Sequence, residues 1–147
     1  MDFIDKPDQK SFLNAFQILI KLGAVDSGNA SLTSLGKEMA VLPTETIYSK
    51  LLMVSLKPEY ISISKKIASI VSMLSVENIF YNPPGGHDIE SKILKKRSKL
   101  FNPQSDHLTL LKIIETFREV SKKQGKSAGR SFCREYFINE KSVFKAL

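Results

Sequence analysis

The sequence predicts a mainly helical protein with one small β-hairpin near its N-terminus. Apolar residues recur at intervals of three and four residues through most of the chain, which is the spacing of one helix face. A single stretch instead shows two short apolar pieces around a Ser-Gly-Asn turn, as a hairpin does. Hydrophobic residues make up 42% of the 147 residues, enough for one ordinary domain or two small ones with a packed core.

The first predicted helix carries apolar side chains at Phe12, Phe16 and Leu19, four and three residues apart. Pro7-Asp8 stands where the first turn of a helix would begin, because proline lacks the N–H that an N-terminal turn leaves unused. Gly23 follows the last apolar residue and is typical of a helix C-terminus. These signals predict a helix that ends near this glycine.

The next elements are the hairpin and two more helices. Residues 24–32 contain the Ser-Gly-Asn turn, and glycine and asparagine tolerate the positive φ of a tight turn. Thr33 or Ser34 can cap a second helix, and Thr44 can cap a third that ends before Pro58. The order helix, hairpin, helix, helix fits a winged-helix-like fold. A plain three-helix bundle with an irregular loop is the alternative.

The pattern is purely helical from Ser64 onward, so we predict a first domain over residues 1–60 and a helical bundle over residues 61–147. Further helices are predicted over the following ranges: 88–101, 107–123, 131–137 and 142–147. Prolines and glycines predict loops at 82–86 and 102–103, and a basic loop at 122–129. No stop signal follows the last helix, so we expect the bundle to be truncated at its C-terminus.

Charge is distributed unevenly along the chain. The net charge is +7, but residues 1–60 contribute −1, with six lysines and seven acidic residues. Residues 61–147 contribute +8, with sixteen basic and eight acidic residues. A basic half beside a near-neutral half indicates either a surface that faces a polyanion or a lysine-rich surface that faces only water.

Several chemistries are missing from the sequence. There is no glycine-rich phosphate loop followed by lysine, and no acidic box that could hold magnesium. The single cysteine, Cys133, and two distant histidines make a poor metal set, and packing is the usual role of such a cysteine. One cysteine also favours a reducing, intracellular compartment, and the acidic N-terminus does not look like a secretory signal. We therefore expect no catalytic residue and no metal ligand.

The positive signal is electrostatic. Lysines and arginines cluster at 92–99, 122–126 and 130–134, where they could neutralise phosphates of a nucleic acid. The aromatic rings of Phe132, Tyr136 and Phe137 interleave with the last cluster. Such rings either stack on unpaired bases or anchor a helix in the core, and anchoring is commoner.

Five segments, in order, resemble the helicase-associated region of DEAH-box RNA helicases. The segments are Phe3–Pro7, Leu22–Pro43, Ile70–Pro83, Ser105–Leu111 and Phe132–Asn139. The last resembles a block usually written W-C-x-x-x-F-[LIV]-N, although phenylalanine stands here in the tryptophan position. Thr44-Glu45 also departs from the family pattern, and the stretch 122–129 is longer than usual.

This resemblance implies a winged-helix domain followed by a ratchet-like helical bundle. It also implies a parent chain that is an ATP-dependent RNA helicase, often acting in pre-mRNA splicing or ribosome assembly, and a nuclear location. In that family the region packs against two RecA-like motor domains and an oligonucleotide-binding fold of the same chain, and single-stranded RNA passes between them. ATP and magnesium are expected only in the motor domains. No cofactor is expected in this chain, and no membrane partner.

We expect a group of polar side chains late in the bundle to hold RNA. The basic members would each offer a cation to a phosphate, and the asparagine could hydrogen-bond backbone or base. The predicted RNA-binding residues are Lys122, Lys123, Lys126, Arg130, Arg134, Asn139 and Lys141.

Three other functions are weighed against RNA binding. A protein-interaction module would present Phe12, Phe16 or Val25 to a glycine-rich-patch protein or another partner helix. A DNA-binding winged helix would need a basic recognition helix, yet residues 33–42 contain only Lys37 beside Glu38. A small hydrolase built on Asp106-His107 would need a pocket and an orienting partner.

Overall fold

The computed structural model describes residues 8–147, which form two compact units. One unit extends to Ser64 and the other runs from Lys65 to Leu147. The predicted helix start at Pro7 and the family-like segment 3–7 lie outside the described residues. The described chain is mainly helical, as predicted.

The first unit contains helices of ordinary length for a small domain. Their bounds are α1 (Gln9–Lys21), α2 (Ser34–Val41), α3 (Thr46–Ser55) and a short 3-10 helix (Ile61–Ile63).

Both ends of α1 are capped by the residues that the sequence indicated. The Asp8 carboxylate accepts hydrogen bonds from two backbone N–H groups of the first turn, at 2.8 and 3.1 Å. At the other end Gly23 has φ +73°, a conformation that glycine adopts without strain. The N–H of Ala24 then donates to the Leu19 carbonyl at 2.9 Å, which completes a Schellman motif. The predicted helix is confirmed between these caps.

The predicted β-hairpin is not confirmed, because the described residues contain only one antiparallel bridge here, between Val25 and Leu32. The Asp26 carboxylate accepts from the N–H groups of two turn residues, at 2.9 and 3.1 Å. Ala30 has φ +57° and donates its N–H back to the Asp26 carbonyl at 3.0 Å. These bonds close the turn. Two backbone bonds flank the bridge, from the Asp26 N–H to the Ser31 carbonyl at 2.9 Å and from the Thr33 N–H to the Ala24 carbonyl at 3.0 Å.

The start of α2 approaches the backbone of Ala24 very closely. The Thr33 hydroxyl accepts the N–H of Gly36 at 3.0 Å and donates to the Gly23 carbonyl at 2.7 Å, which caps the helix and fixes it to the preceding turn. A Cβ placed on Gly36 would lie 2.0 Å from the Ala24 carbonyl oxygen. Glycine is therefore required at this point for steric reasons.

The predicted cap of α3 is wrong by one residue. Glu45, not Thr44, occupies the N-cap position, and its side chain makes no capping hydrogen bond. The N–H of Thr44 donates to the Leu42 carbonyl at 2.8 Å, so the chain is still turning after Pro43 when it passes this threonine.

The second unit consists of five described helices around one core. They are α4 (Ser64–Leu74, whose first residue belongs to the first unit), α5 (His87–Arg97), α6 (Asp106–Gln124), α7 (Lys126–Glu135) and α8 (Glu140–Ala146). The core is centred on α6, where Ile113, Ile114 and Phe117 are almost completely buried. The Phe117 ring packs edge-on against Phe144, with 5.3 Å between ring centroids.

The basic stretch 122–129 is helical rather than a loop, which corrects the prediction. Helix α6 continues to Gln124, α7 begins at Lys126, and Gly125 alone turns the chain, with φ +87°. Lysine, glutamine, serine and alanine are all compatible with a helix, so a single glycine in a positive-φ conformation is sufficient to separate the two helices. The lysines of this stretch are consequently held on rigid elements.

The end of α7 is tied to the segment that follows α4. Phe137 has φ +55°, and the N–H of Ile138 donates to the Cys133 carbonyl at 2.8 Å. The N–H of Tyr81 donates to the Phe137 carbonyl at 3.1 Å, and Phe80 and Ile138 form an antiparallel bridge. This pairing positions the start of α8 against the loop before α5.

Candidate nucleic-acid interface

Helix α7 has one side that is buried and another that is basic and exposed. Gly129, Phe132 and Cys133 are buried in the core. Three exposed cations recur every fourth residue, so they follow one side of the helix: Lys126, Arg130 and Arg134. This side of α7 therefore presents a row of positive charge to solvent.

Two of the predicted RNA-binding cations are engaged in ion pairs. Lys123 lies 2.6 Å from the Glu119 carboxylate, one turn earlier on α6, and the hydrogen bond from Lys123 lowers the pKa of Glu119. Arg130 lies 3.0 Å from the carboxylate of Glu140 at the start of α8. Both pairs are on the surface, where such contacts are weak and a phosphate can compete with the carboxylate.

Four predicted RNA-binding cations remain exposed and make no side-chain hydrogen bond or ion pair within residues 8–147. They are Lys122, Lys126, Arg134 and Lys141. A phosphate could therefore contact each of them without first displacing a carboxylate from an ion pair.

Asn139 has a structural role. Its side-chain oxygen accepts the N–H of Lys141 at 3.1 Å, so it is the N-cap of α8. Its backbone N–H donates to the Ile79 carbonyl at 2.8 Å. The side-chain amide nitrogen is the group that is left for a ligand. The predicted contact of Asn139 with RNA is therefore limited to hydrogen bonds that this nitrogen donates.

The aromatic rings near α7 are mostly structural. Phe132 is buried, and its ring centroid lies 5.0 Å from that of Tyr136. Phe137 is half-buried and packs against Tyr81 at 6.0 Å. Phe132 therefore anchors α7 in the core, and base stacking by this ring is excluded in the described fold.

Arg97 holds together three segments of the second unit, a role that the sequence analysis missed. Its guanidinium donates to the carbonyls of Tyr81 at 2.8 Å and Phe137 at 2.9 Å, and to the Asn82 side chain at 3.0 Å. It also lies 4.6 Å from the centroid of the Phe80 ring, and burial lowers its pKa. Arg97 follows the buried Ile93 by four residues on α5. This helical spacing is the feature of the sequence that could have indicated that Arg97 faces the core.

The enzymatic alternatives find no support in the described geometry. Cys133 is fully buried, and desolvation raises the pKa of its thiol to about 11, so it stays protonated at neutral pH. The His107 ring contacts the hydroxyl of Ser105, at 3.3 Å, and this hydroxyl caps α6 by accepting the His107 N–H. The imidazole is thus a surface neighbour of a helix cap.

Residues 8–147 contain no group of three or more histidine, cysteine, aspartate or glutamate side chains that could hold a metal ion. None of the described helices is long and apolar enough to cross a membrane. The groups of the second unit that could bind a ligand are the exposed lysines and arginines described above.

Two family models match consecutive parts of the chain. The model described as helicase associated domain (HA2), winged-helix, matches residues 15–44, and the model described as helicase associated domain (HA2), ratchet-like, matches residues 45–110. The predicted RNA-binding residues all lie after the second match.

Similar proteins cover nearly the whole chain. The ATP-dependent RNA helicase DHX33 of Mus musculus is 32% identical over 144 residues, which are 97% of this chain and 19% of that protein. The pre-mRNA-splicing factor ATP-dependent RNA helicase prp22 of Schizosaccharomyces pombe is 32% identical over 145 residues, 99% of this chain and 11% of that protein. The probable ATP-dependent RNA helicase DHX35 of Pongo abelii is 28% identical over 144 residues. The chain thus spans less than a fifth of the DHX33 and prp22 relatives that it matches.

Proposed function

Because the chain belongs to the helicase-associated (HA2) region of the DEAH-box RNA helicase family, we propose that it helps an ATP-dependent RNA helicase to hold single-stranded RNA during translocation. In this proposal the chain alone has no ATPase activity. ATP and magnesium act in RecA-like motor domains elsewhere in the parent chain, which also contributes an oligonucleotide-binding fold. The parent acts in the nucleus, in pre-mRNA splicing or ribosome assembly.

The observation that supports RNA holding most directly is the set of unpaired cations on α6, α7 and α8. Lys122, Lys126, Arg134 and Lys141 are exposed, and the helices that carry them pack on a rigid core. Cations of this kind contact phosphates without reading bases, and a strand that must move past its holder needs contacts of that type. Release of counterions makes such binding strongly dependent on salt.

The protein-interaction alternative has less support. Phe12 is exposed, but Phe16 is half-buried and Val25 is buried, so the three residues do not form the exposed set that a glycine-rich-patch protein would need. No comparison points to such a partner for this chain. RNA binding therefore remains our proposal for the second unit.

The test measures binding of a fluorescent single-stranded RNA by anisotropy over a series of salt concentrations. In the variant Lys122→Ala/Lys126→Ala/Arg134→Ala we expect weaker binding. We also expect the slope of log affinity against log salt to become shallower by about 2, because three phosphate contacts are lost. A matched control removes three exposed lysines from the first unit, as Lys10→Ala/Lys37→Ala/Lys57→Ala.

The control carries the same change in net charge, so it separates a local interface from a general effect of charge. We expect its salt slope to stay close to that of the unchanged chain. Equal affinity and slope in the first variant and the unchanged chain would overturn the proposal, as would an equal loss in both variants.

A further inference from the structure

Ser98 occupies an accessible turn at the end of α5. It is the C-cap residue of that helix, it is exposed, and residues 98–100 form a turn in which the Leu100 N–H donates to the Arg97 carbonyl at 2.9 Å. The Ser98 hydroxyl donates a hydrogen bond to the Lys95 carbonyl, at 2.9 Å. This bond lies on the surface, so the hydroxyl can exchange it for another partner at little cost.

Basic residues surround Ser98 in a pattern that no other serine or threonine of the sequence shares. Lys95 and Lys96 stand three and two residues before it, Arg97 immediately before it, and Lys99 immediately after it. Lys95 and Lys99 are exposed. Lys96 pairs with Glu135 at 2.6 Å on the surface, a contact that a competing carboxylate can replace.

We propose that Ser98 is a phosphorylation site for a basic-directed serine kinase. Such kinases select substrates through acidic pockets that receive cations shortly before the acceptor serine, which is an electrostatic form of specificity. An exposed serine in a turn, preceded by two lysines and an arginine, offers both the charge pattern and the access. The inference goes beyond RNA binding, since it concerns a different residue and a different partner.

The reaction transfers the γ-phosphoryl group of ATP, which the kinase binds. A bond forms between the Ser98 hydroxyl oxygen and the γ-phosphorus, and the bond from that phosphorus to the bridging oxygen breaks, leaving ADP. The hydroxyl proton passes to the catalytic carboxylate of the kinase.

Phosphorylation changes the end of α5 in two ways. It adds a charge of about −1.5 to −2 at neutral pH. This charge stands at the C-terminus of a helix, where the helix dipole disfavours anions. It also stands next to Arg97, which bridges Tyr81 and Phe137, so the phosphate competes for a guanidinium that holds the second unit together. We therefore expect the phosphorylated chain to melt at a lower temperature.

Two other serines show why Ser98 is favoured. Ser91 is exposed on the same helix, but Asp88 and Glu90 precede it. Ser121 follows Arg118 by three residues, yet its hydroxyl oxygen is buried in the described structure. Ser91 supplies a matched control, because it shares exposure and helix with the proposed site and differs in the sign of the charges that precede it.

The experiment incubates the 147-residue chain with ATP and the catalytic subunit of cyclic-AMP-dependent protein kinase, a basic-directed enzyme, and locates phosphate by peptide mass spectrometry. We expect one phosphoryl group, on Ser98. Ser98→Ala should lose most of the label, Lys95→Ala/Lys96→Ala should be labelled much more slowly, and Ser91→Ala should be labelled like the unchanged chain.

Phosphate on another residue, no phosphate at all, or equal labelling of the Lys95→Ala/Lys96→Ala variant would overturn the assignment. Circular dichroism of each variant before the kinase is added shows that the substrate is folded. The outcome does not depend on RNA binding, so failure of this inference leaves the proposed function untouched, and the reverse also holds.

Discussion

The two units differ in where their apolar side chains lie. In the second unit, thirteen buried residues form one contiguous core, and Phe117 is 1% exposed. In the described part of the first unit, the buried apolar residues are Ala24, Val25 and Met39, and α1 buries none of its residues. Phe12, which like Phe117 belongs to an apolar stripe along its helix, is 60% exposed. An apolar helical stripe therefore does not by itself place a side chain in a core.

The difference indicates two sources of stability. The second unit is held mainly by side-chain packing, which contributes in proportion to the apolar area removed from water. The first unit relies more on caps and close backbone approach: the Asp8 cap, the turn at Gly23, and the contact between Gly36 and Ala24. Changes to large side chains should therefore harm the second unit most, and changes to glycines should harm the first.

The largest effect is expected from Phe117→Ala. The substitution removes a ring from the centre of the core and leaves a cavity, which costs about 3–5 kcal/mol of unfolding free energy. The matched change in the first unit, Phe12→Ala, should alter stability by no more than about 0.5 kcal/mol, since the ring is exposed. Urea unfolding followed by circular dichroism measures both. Similar losses in the two variants would contradict the contrast between the units.

A smaller effect is expected from Gly36→Ala in the first unit. The added Cβ would lie 2.0 Å from the Ala24 carbonyl oxygen, so α2 or the preceding turn must move, at a cost of about 1–3 kcal/mol. The better helix propensity of alanine offsets part of this.

Gly28→Ala is the control within the same unit, because its Cβ would meet the Asp26 carboxylate at an ordinary 3.4 Å. Thermal melting of both variants tests the comparison. A Gly36→Ala variant as stable as the control would show that the approach of α2 to Ala24 does not support the first unit.

Much of the fold followed from local signals in the sequence. Asp8 caps α1 at the helix start that the sequence indicated, Thr33 is the one of the two expected residues that caps α2, and Gly23 ends α1 in a positive-φ conformation. Such signals depend on a few neighbouring residues, so they survive without knowledge of the rest of the fold. The predicted hairpin is not confirmed, because the described residues pair here only through the bridge between Val25 and Leu32. Periodicity does not show how far such pairing extends.

The candidate site was less predictable for the same physical reason. The sequence identifies cations but not their partners, and the partners of Arg130 and Arg97 lie ten and up to forty residues away. Arg97 therefore connects three segments of the second unit, whereas composition alone places it among surface cations. Whether the free cations near α7 contact RNA stays a prediction.

The smallest effect is expected from the surface pair in the second unit, Lys96 and Glu135. The hydrogen bond from Lys96 lowers the pKa of Glu135, and the same bond raises the pKa of Lys96. A lowered carboxyl pKa contributes stability that is present above the unfolded glutamate value, about 4.3, and is lost as the pH falls through the lower folded value. The raised lysine pKa contributes stability that is present below about 10.4 and is lost as the pH rises through the folded value.

Glu135→Gln should therefore lower the melting temperature by no more than a few degrees at pH 7, and by less at pH 3, where the carboxylate of the unchanged chain is being protonated. Melting curves of both proteins at the two pH values measure the difference. The Glu135 side chain is exposed, so added salt should further reduce the difference in melting temperature between the two proteins. A difference that grew as the pH fell would mean that Glu135 stabilises the unit as a neutral hydrogen-bonding group and not through its charge.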